Sequence, residues 1–78
     1  MKVTIVAEDN MVLINGFPET VDLSALDDDI HAVQWYGTVG EVEYKMDYVN
    51  NTRKGNERIT DLTPFAWVIG AWEAAAQA

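Results

Sequence analysis

The chain has 78 residues, with 13 acidic side chains against five lysines and arginines and no cysteine, for a formal charge of −8. That length suits one domain and excludes two, the missing thiols exclude disulfides and thiolate metal sites, and the acidity argues against nucleic acid, whose phosphates need a basic surface. No apolar run approaches the roughly 20 residues that span a bilayer, and Met1-Lys2 leads into a strand rather than a signal-peptide core, so a soluble protein made inside the cell is expected.

A core of this size supplies only about 3–5 kcal/mol of net stability, which makes pairing with a second copy an economical way to gain more. The charge is uneven: residues 1–43 hold nine acids and one base, whereas residues 44–78 hold four of each.

Lys2 to Ala7 is rich in β-branched residues and predicts a first strand over 2–7, with turn chemistry following in Glu8-Asp9-Asn10. Met11 onward predicts a second strand over 11–15, closed by Asn15-Gly16, a pair that tolerates the positive φ of a tight hairpin. Pro18 has no N–H for a ladder, which confines the next strand to an edge or delays its start; a strand over 19–23 is expected, with Val21 and Leu23 on one face. Ser24 can cap a single helical turn in the connection that follows. The run Asp27-Asp28-Asp29 lacks the Asp-x-Asp-x-Asp-Gly spacing of a calcium loop, and no metal is expected there.

Ile30 to Met46 reads as the hairpin that organises the fold, with two arms over 30–36 and 41–48 and a break between Gly37 and Gly40. In the second arm Val42, Tyr44 and Met46 alternate with Glu41, Glu43 and Lys45, so one face is apolar and the other charged. The first arm is apolar on both faces, with His31, Val33 and Trp35 on one of them, and is expected to be the central strand. Asp47 to Glu57 predicts a loop, its Arg53-Lys54 pair and Arg58 solvated; Tyr48 and Val49 extend the preceding strand, and Arg58 to Leu62 is a short strand or an extended lead-in.

Thr63-Pro64 starts a helix over 64–77, with a hydroxyl to cap it and proline where a missing N–H is harmless. Phe65, Val68, Ile69, Trp72 and Ala76 follow helical spacing and mark the buried arc. Trp67 falls about 160° from that arc. The expected fold is therefore α+β: a mostly antiparallel sheet of about five strands, a meander plus a hairpin, packed by one C-terminal helix.

One histidine and one serine, with no phosphate loop and no histidine pair, offer little to catalysis, and neither an enzyme nor a cofactor is expected. His31 reads as a sheet histidine bonded to a neighbour, and Glu41 and Glu43 as solvated. Trp35, Val42, Tyr44, Phe65, Ile69 and Trp72 are the expected core. Trp67 is the leading candidate for contact with another protein, followed by Tyr36 and Tyr48, because tryptophan and tyrosine anchor interfaces.

The ordered set His31-Ala32-Val33-Gln34-Trp35-x-Gly37, Gly40-Glu41-Val42-Glu43-Tyr44, Asn56-x-x-Ile59-Thr60-Asp61-Leu62-x-Pro64-Phe65 and Ala71-Trp72 resembles small proteins encoded among bacteriophage and prophage tail genes, near those for tail fibres. The similarity covers residues 21 to 75, and the longer basic loop over 48–57 departs from it. The resemblance implies an accessory or structural role, with a tail component or a second copy as partner, in the bacterial cytoplasm or the virion. It supplies no catalytic residues. A different class of function follows from the charge: an acidic inhibitor that imitates DNA phosphates toward a host nucleic-acid-handling protein. Such a mimic needs a continuous row of carboxylates, and most of those of residues 1–43 fall in separate turns.

Overall fold

A computed structural model describes residues 1–78. Six strands form one antiparallel sheet: β1 (Val3–Val6), β2 (Met11–Ile14), β3 (Phe17–Thr20), β4 (Ile30–Trp35), β5 (Gly40–Tyr44) and β6 (Glu57–Ile59), in the spatial order β3-β2-β1-β4-β5-β6. A 3₁₀ turn at Thr63–Phe65 leads into the helix α1 (Ala66–Ala76). The fold is thus α+β, with β6 the strand beyond the expected five. Arg58 to Leu62 was ambiguous in sequence because its only apolar in-facing residue before the turn is Ile59, opposite Gly40.

The covered face is built from two rows of small and branched residues. Register places Val12, Ile5, Val33 and Val42 in one row and Ile14, Val3, Trp35 and Gly40 in the next. Trp35 lies opposite a residue with no Cβ. That choice is enforced, since a Cβ at Gly40 would fall on the Gln34 carbonyl oxygen and 2.9 Å from Trp35 Cε3. Over this face lie Phe65 and Val68, with Val21 and Leu23 closing one end.

β1 and β4 share the centre of the sheet, so the central position expected of the hairpin's first arm belongs to two strands. β4 also bends. Ile30 pairs with Tyr44 and Ala32 with Glu43, which leaves His31 as the extra residue of a β-bulge, exposed rather than packed beside Val33 and Trp35. The bulge resets the alternation so that Ile30, Val33 and Trp35 are all buried.

Several boundaries differ from expectation, for identifiable reasons. β3 begins at Phe17 and includes Pro18, which an edge strand tolerates because its missing donor faces no neighbour. It ends at Thr20; Val21 and Leu23 are buried by a different device, their N–H groups donating to the Asn10 carbonyl oxygen at 2.8 Å and to Asn10 Oδ1 at 3.0 Å. β5 stops at Tyr44, and Tyr48-Val49 belongs to a separate turn. The turn caps also come from aspartates rather than hydroxyls: Asp22 Oδ1 accepts from the Ser24 N–H at 3.0 Å, and Asp61 Oδ1 from the Thr63 N–H at 2.9 Å. Ala76 is exposed, its place on the buried arc taken by the half-buried Ala71 and Ala75. No helix is long and apolar enough to cross a membrane.

Because the Gly40 position admits no side chain, Gly40→Ala should overpack the Trp35 site and destabilise the fold by about 1–3 kcal/mol. Urea unfolding followed by tryptophan fluorescence measures this, and an unchanged midpoint contradicts the packing described.

Candidate protein-contact surface

Beyond β5 the chain makes a compact turn closed by its own hydrogen bonds. The Asp47 N–H donates to the Thr52 carbonyl at 2.7 Å, and the Thr52 N–H returns to the Asp47 carbonyl at 3.1 Å. Asp47 Oδ1 accepts from the N–H groups of Val49 and Asn50 at 3.0 and 3.2 Å, and Oδ2 accepts from Asn50 Nδ2 at 2.9 Å. Asn51 takes the left-handed conformation, φ 54°, which asparagine tolerates better than most residues. Held in shape by these bonds, the turn displays Tyr48 at 87% exposure and Val49 at 93%.

The base of this turn is fastened to the sheet. The Lys45 N–H donates to the Asp29 carbonyl at 2.8 Å, and Lys54 Nζ lies 2.6 Å from Asp29 Oδ2 and 4.8 Å from the centre of the Tyr44 ring. The Tyr44 hydroxyl donates to Glu57 Oε1 at 2.7 Å. Lys54 is therefore engaged, whereas it was expected to be merely solvated. Next to the turn, His31, Lys45, Tyr48 and Arg53 border an open hollow that Glu8 also reaches.

The local bonds explain the carboxylate shifts. The Lys54 ammonium holds the Asp29 carboxyl below its ordinary range and is itself raised by that pairing. Asp22 is lowered chiefly by the Ser24 backbone N–H, Asp47 by the Asn50 side chain, and Asp61 by the Thr63 hydroxyl. Asp22, Asp47 and Asp61 thus serve turns and caps, and Asp29 holds Lys54.

The other candidates lie elsewhere. Trp67 is 40% exposed on the helix's outer side beside exposed Ala66, Gly70 and Ala74, and Glu73 is the sole charged residue of α1. Tyr36, 55% exposed, follows β4 at the end of the sheet opposite the turn that carries Tyr48. The three predicted contact residues are thus exposed but are not brought together. Among the expected core residues, Trp35, Val42 and Phe65 are buried, while Tyr44, Ile69 and Trp72 pack against the core from its margin. Trp72 does so with its indole N–H satisfied, donating to the Phe17 carbonyl at 3.0 Å.

Sequence reasoning missed Phe17 and Val49 as surface residues. Phe17 is 67% exposed because it starts an edge strand, a position that Pro18 signals. No group of three or more His, Cys, Asp or Glu side chains is placed to hold a metal ion. Comparison with protein families, with curated proteins and with solved structures finds no match to this chain.

One pair gives the site a pH signature. The hydrogen bond to Glu57, followed by burial and the carboxylate's charge, pushes the Tyr44 hydroxyl from 10.0 up to about 12. Between those values the folded chain holds a proton that the unfolded chain has lost, so stability is full below pH 10 and declines as pH rises toward 12. Tyr44→Phe should lose this part of the alkaline decline. Thermal unfolding of both proteins across that range checks it, and identical alkaline limbs would count against the bond.

Proposed function

We propose that the chain is a non-enzymatic protein-contact domain of phage descent, working in the assembly or attachment of a tail. The observation that carries protein contact is the display of Tyr48 and Val49 on a turn whose own hydrogen bonds already fix it. Two apolar side chains held almost wholly in water bring no benefit to the isolated fold. A partner that covers them gains their burial at little ordering cost, because the turn is preorganised. Trp67 offers a second anchor of the same kind on α1.

The tail context is supported by the resemblance of residues 21 to 75 to proteins encoded beside tail-fibre genes. The residues carrying that resemblance are largely architectural here: Trp35, Val42 and Phe65 are core, and Gly40 is the packing glycine. They favour a shared fold, and the basic turn after β5 is where this chain has its own surface. The competing reading, a phosphate mimic, is disfavoured by the dispersal of the acids of residues 1–43 over separate turns and strands, with Asp22 and Asp29 engaged in local bonds.

Immobilised chain should retain a tail protein from a lysate of the producing phage, and the double variant Tyr48→Ala/Trp67→Ala should weaken that binding by at least about tenfold while leaving the fold intact. Retention of no tail protein would overturn the tail reading. Salt-sensitive capture of a DNA-handling protein instead would favour the mimic.

A further inference from the structure

Of the chain's asparagines only Asn15 is followed by glycine; Asn10, Asn50, Asn51 and Asn56 precede Met11, Asn51, Thr52 and Glu57. The distinction is chemical. A backbone nitrogen can attack the side-chain amide carbon of the asparagine before it, and a Cβ on the attacking residue crowds that approach. Gly16 has none, and a Cβ built there would meet no atom within 4 Å. Its N–H donates to no carbonyl, whereas the Thr52 N–H beside Asn51 is committed to the Asp47 carbonyl at 3.1 Å. Asn15 and Gly16 are both exposed, so water reaches them.

We propose that Asn15 is a deamidation site, losing its side-chain amide to water through a cyclic imide with Gly16, and that the folded hairpin holds this reaction back. The Gly16 nitrogen forms a bond to Asn15 Cγ, its proton passes through solvent to the departing amide, and Nδ2 leaves as ammonia. Water then opens the imide at either carbonyl. Cleavage between Cγ and the Gly16 nitrogen leaves aspartate in the ordinary chain. Cleavage at the Asn15 backbone carbonyl leaves the chain running through Cγ, with the former backbone carboxyl as a side chain. The net exchange is one ammonia for one water, with no oxidant or reductant.

The restraint comes from Lys2. Its carbonyl accepts the Asn15 N–H at 2.8 Å, and its N–H donates to Asn15 Oδ1 at 3.0 Å, which ties the side-chain amide to the start of β1. Asn15 and Gly16 hold φ 51° and 86°, the pairing of a tight hairpin turn. In that turn type rotation about the Asn15 Cα–C bond points the Gly16 nitrogen away from Cβ. Ring closure needs the opposite rotation and the loss of the Oδ1 bond. The reaction therefore proceeds from the opened tip, at a rate set by how often the tip opens.

The two products differ in what they do to the fold. Aspartate tolerates positive φ as asparagine does and keeps an acceptor for the Lys2 N–H. The rerouted chain inserts an extra carbon into the turn, so Ile14 and Phe17 no longer meet in register, and the strand that seats Val12 and Ile14 in the core is disturbed. The site lies at the end of the sheet away from Tyr48 and stands apart from the contact surface, because Asn15 follows the Ile14 that is level with Val3 and Trp35.

Incubation in mildly alkaline buffer, with and without concentrated urea, followed by peptide mapping in a mass spectrometer, tests the proposal. Ammonia loss should appear first at Asn15, run at least about tenfold faster in the unfolded chain than in the folded one, and yield both linkages. Lys2→Pro deletes the donor to Oδ1 and should raise the folded rate several-fold, with near-ultraviolet dichroism reporting the fold. Should that variant unfold, hydrogen exchange at the Lys2 amide of the unaltered chain decides: its protection should fall as loss at Asn15 accelerates with urea below the unfolding midpoint. First modification at another asparagine, equal rates in folded and unfolded chains, an unchanged rate in folded Lys2→Pro, or loss at Asn15 indifferent to opening at Lys2 would each overturn the proposal.

Discussion

The antiparallel seam between β1 and β4 joins two pieces that each form locally, the meander β1-β2-β3 and the hairpin β4-β5. Val3 meets Trp35 across it and Ile5 meets Val33, and Val3, Ile5 and Val33 are among the most completely buried residues of the chain. The residues in the seam are about 30 positions apart, so its formation carries the main loop-closure entropy of the fold. The helix and the connection between β3 and β4 depend on it. α1 needs a finished face to lie on, and the aspartate and asparagine contacts of Asn10, Asp22 and Asp29 fasten the connection between β3 and β4 that the seam holds in place.

Much of this architecture was legible because the local signals agreed with the global arrangement. Asn15-Gly16 adopts positive φ at both residues, as the tight hairpin requires. Val42 and Tyr44 alternate with Glu41 and Glu43 as observed, and Phe65, Val68 and Trp72 turn toward the sheet. What escaped was set by tertiary contacts. His31 reads as an in-facing residue under strict alternation, and only pairing with β5 reveals the bulge that turns it out. β6 is three residues long, too short for periodicity to show, and exists because β5 offers it an edge.

The candidate surface was legible in part for the same reason. Trp67 stands out from its helical angle alone, and its exposure agrees. Tyr48 and Val49 were harder to place, since their β propensity suggests a strand and the competing influence is Asp47, whose carboxylate gathers three donors into a turn. A side chain's hydrogen bonds to its own neighbourhood outweighed intrinsic preference.

The closed turn after β5 also separates the chain's identity from its architecture. Its ends are bridged by Asp47 and Thr52, so the four residues between them supply no strand and none of the buried core. Natural variation can rewrite such a segment while the sheet beneath stays as it is. One scaffold can in this way acquire new acquaintances by exchanging a few exposed letters, and related chains with the same core need not recognise the same molecules.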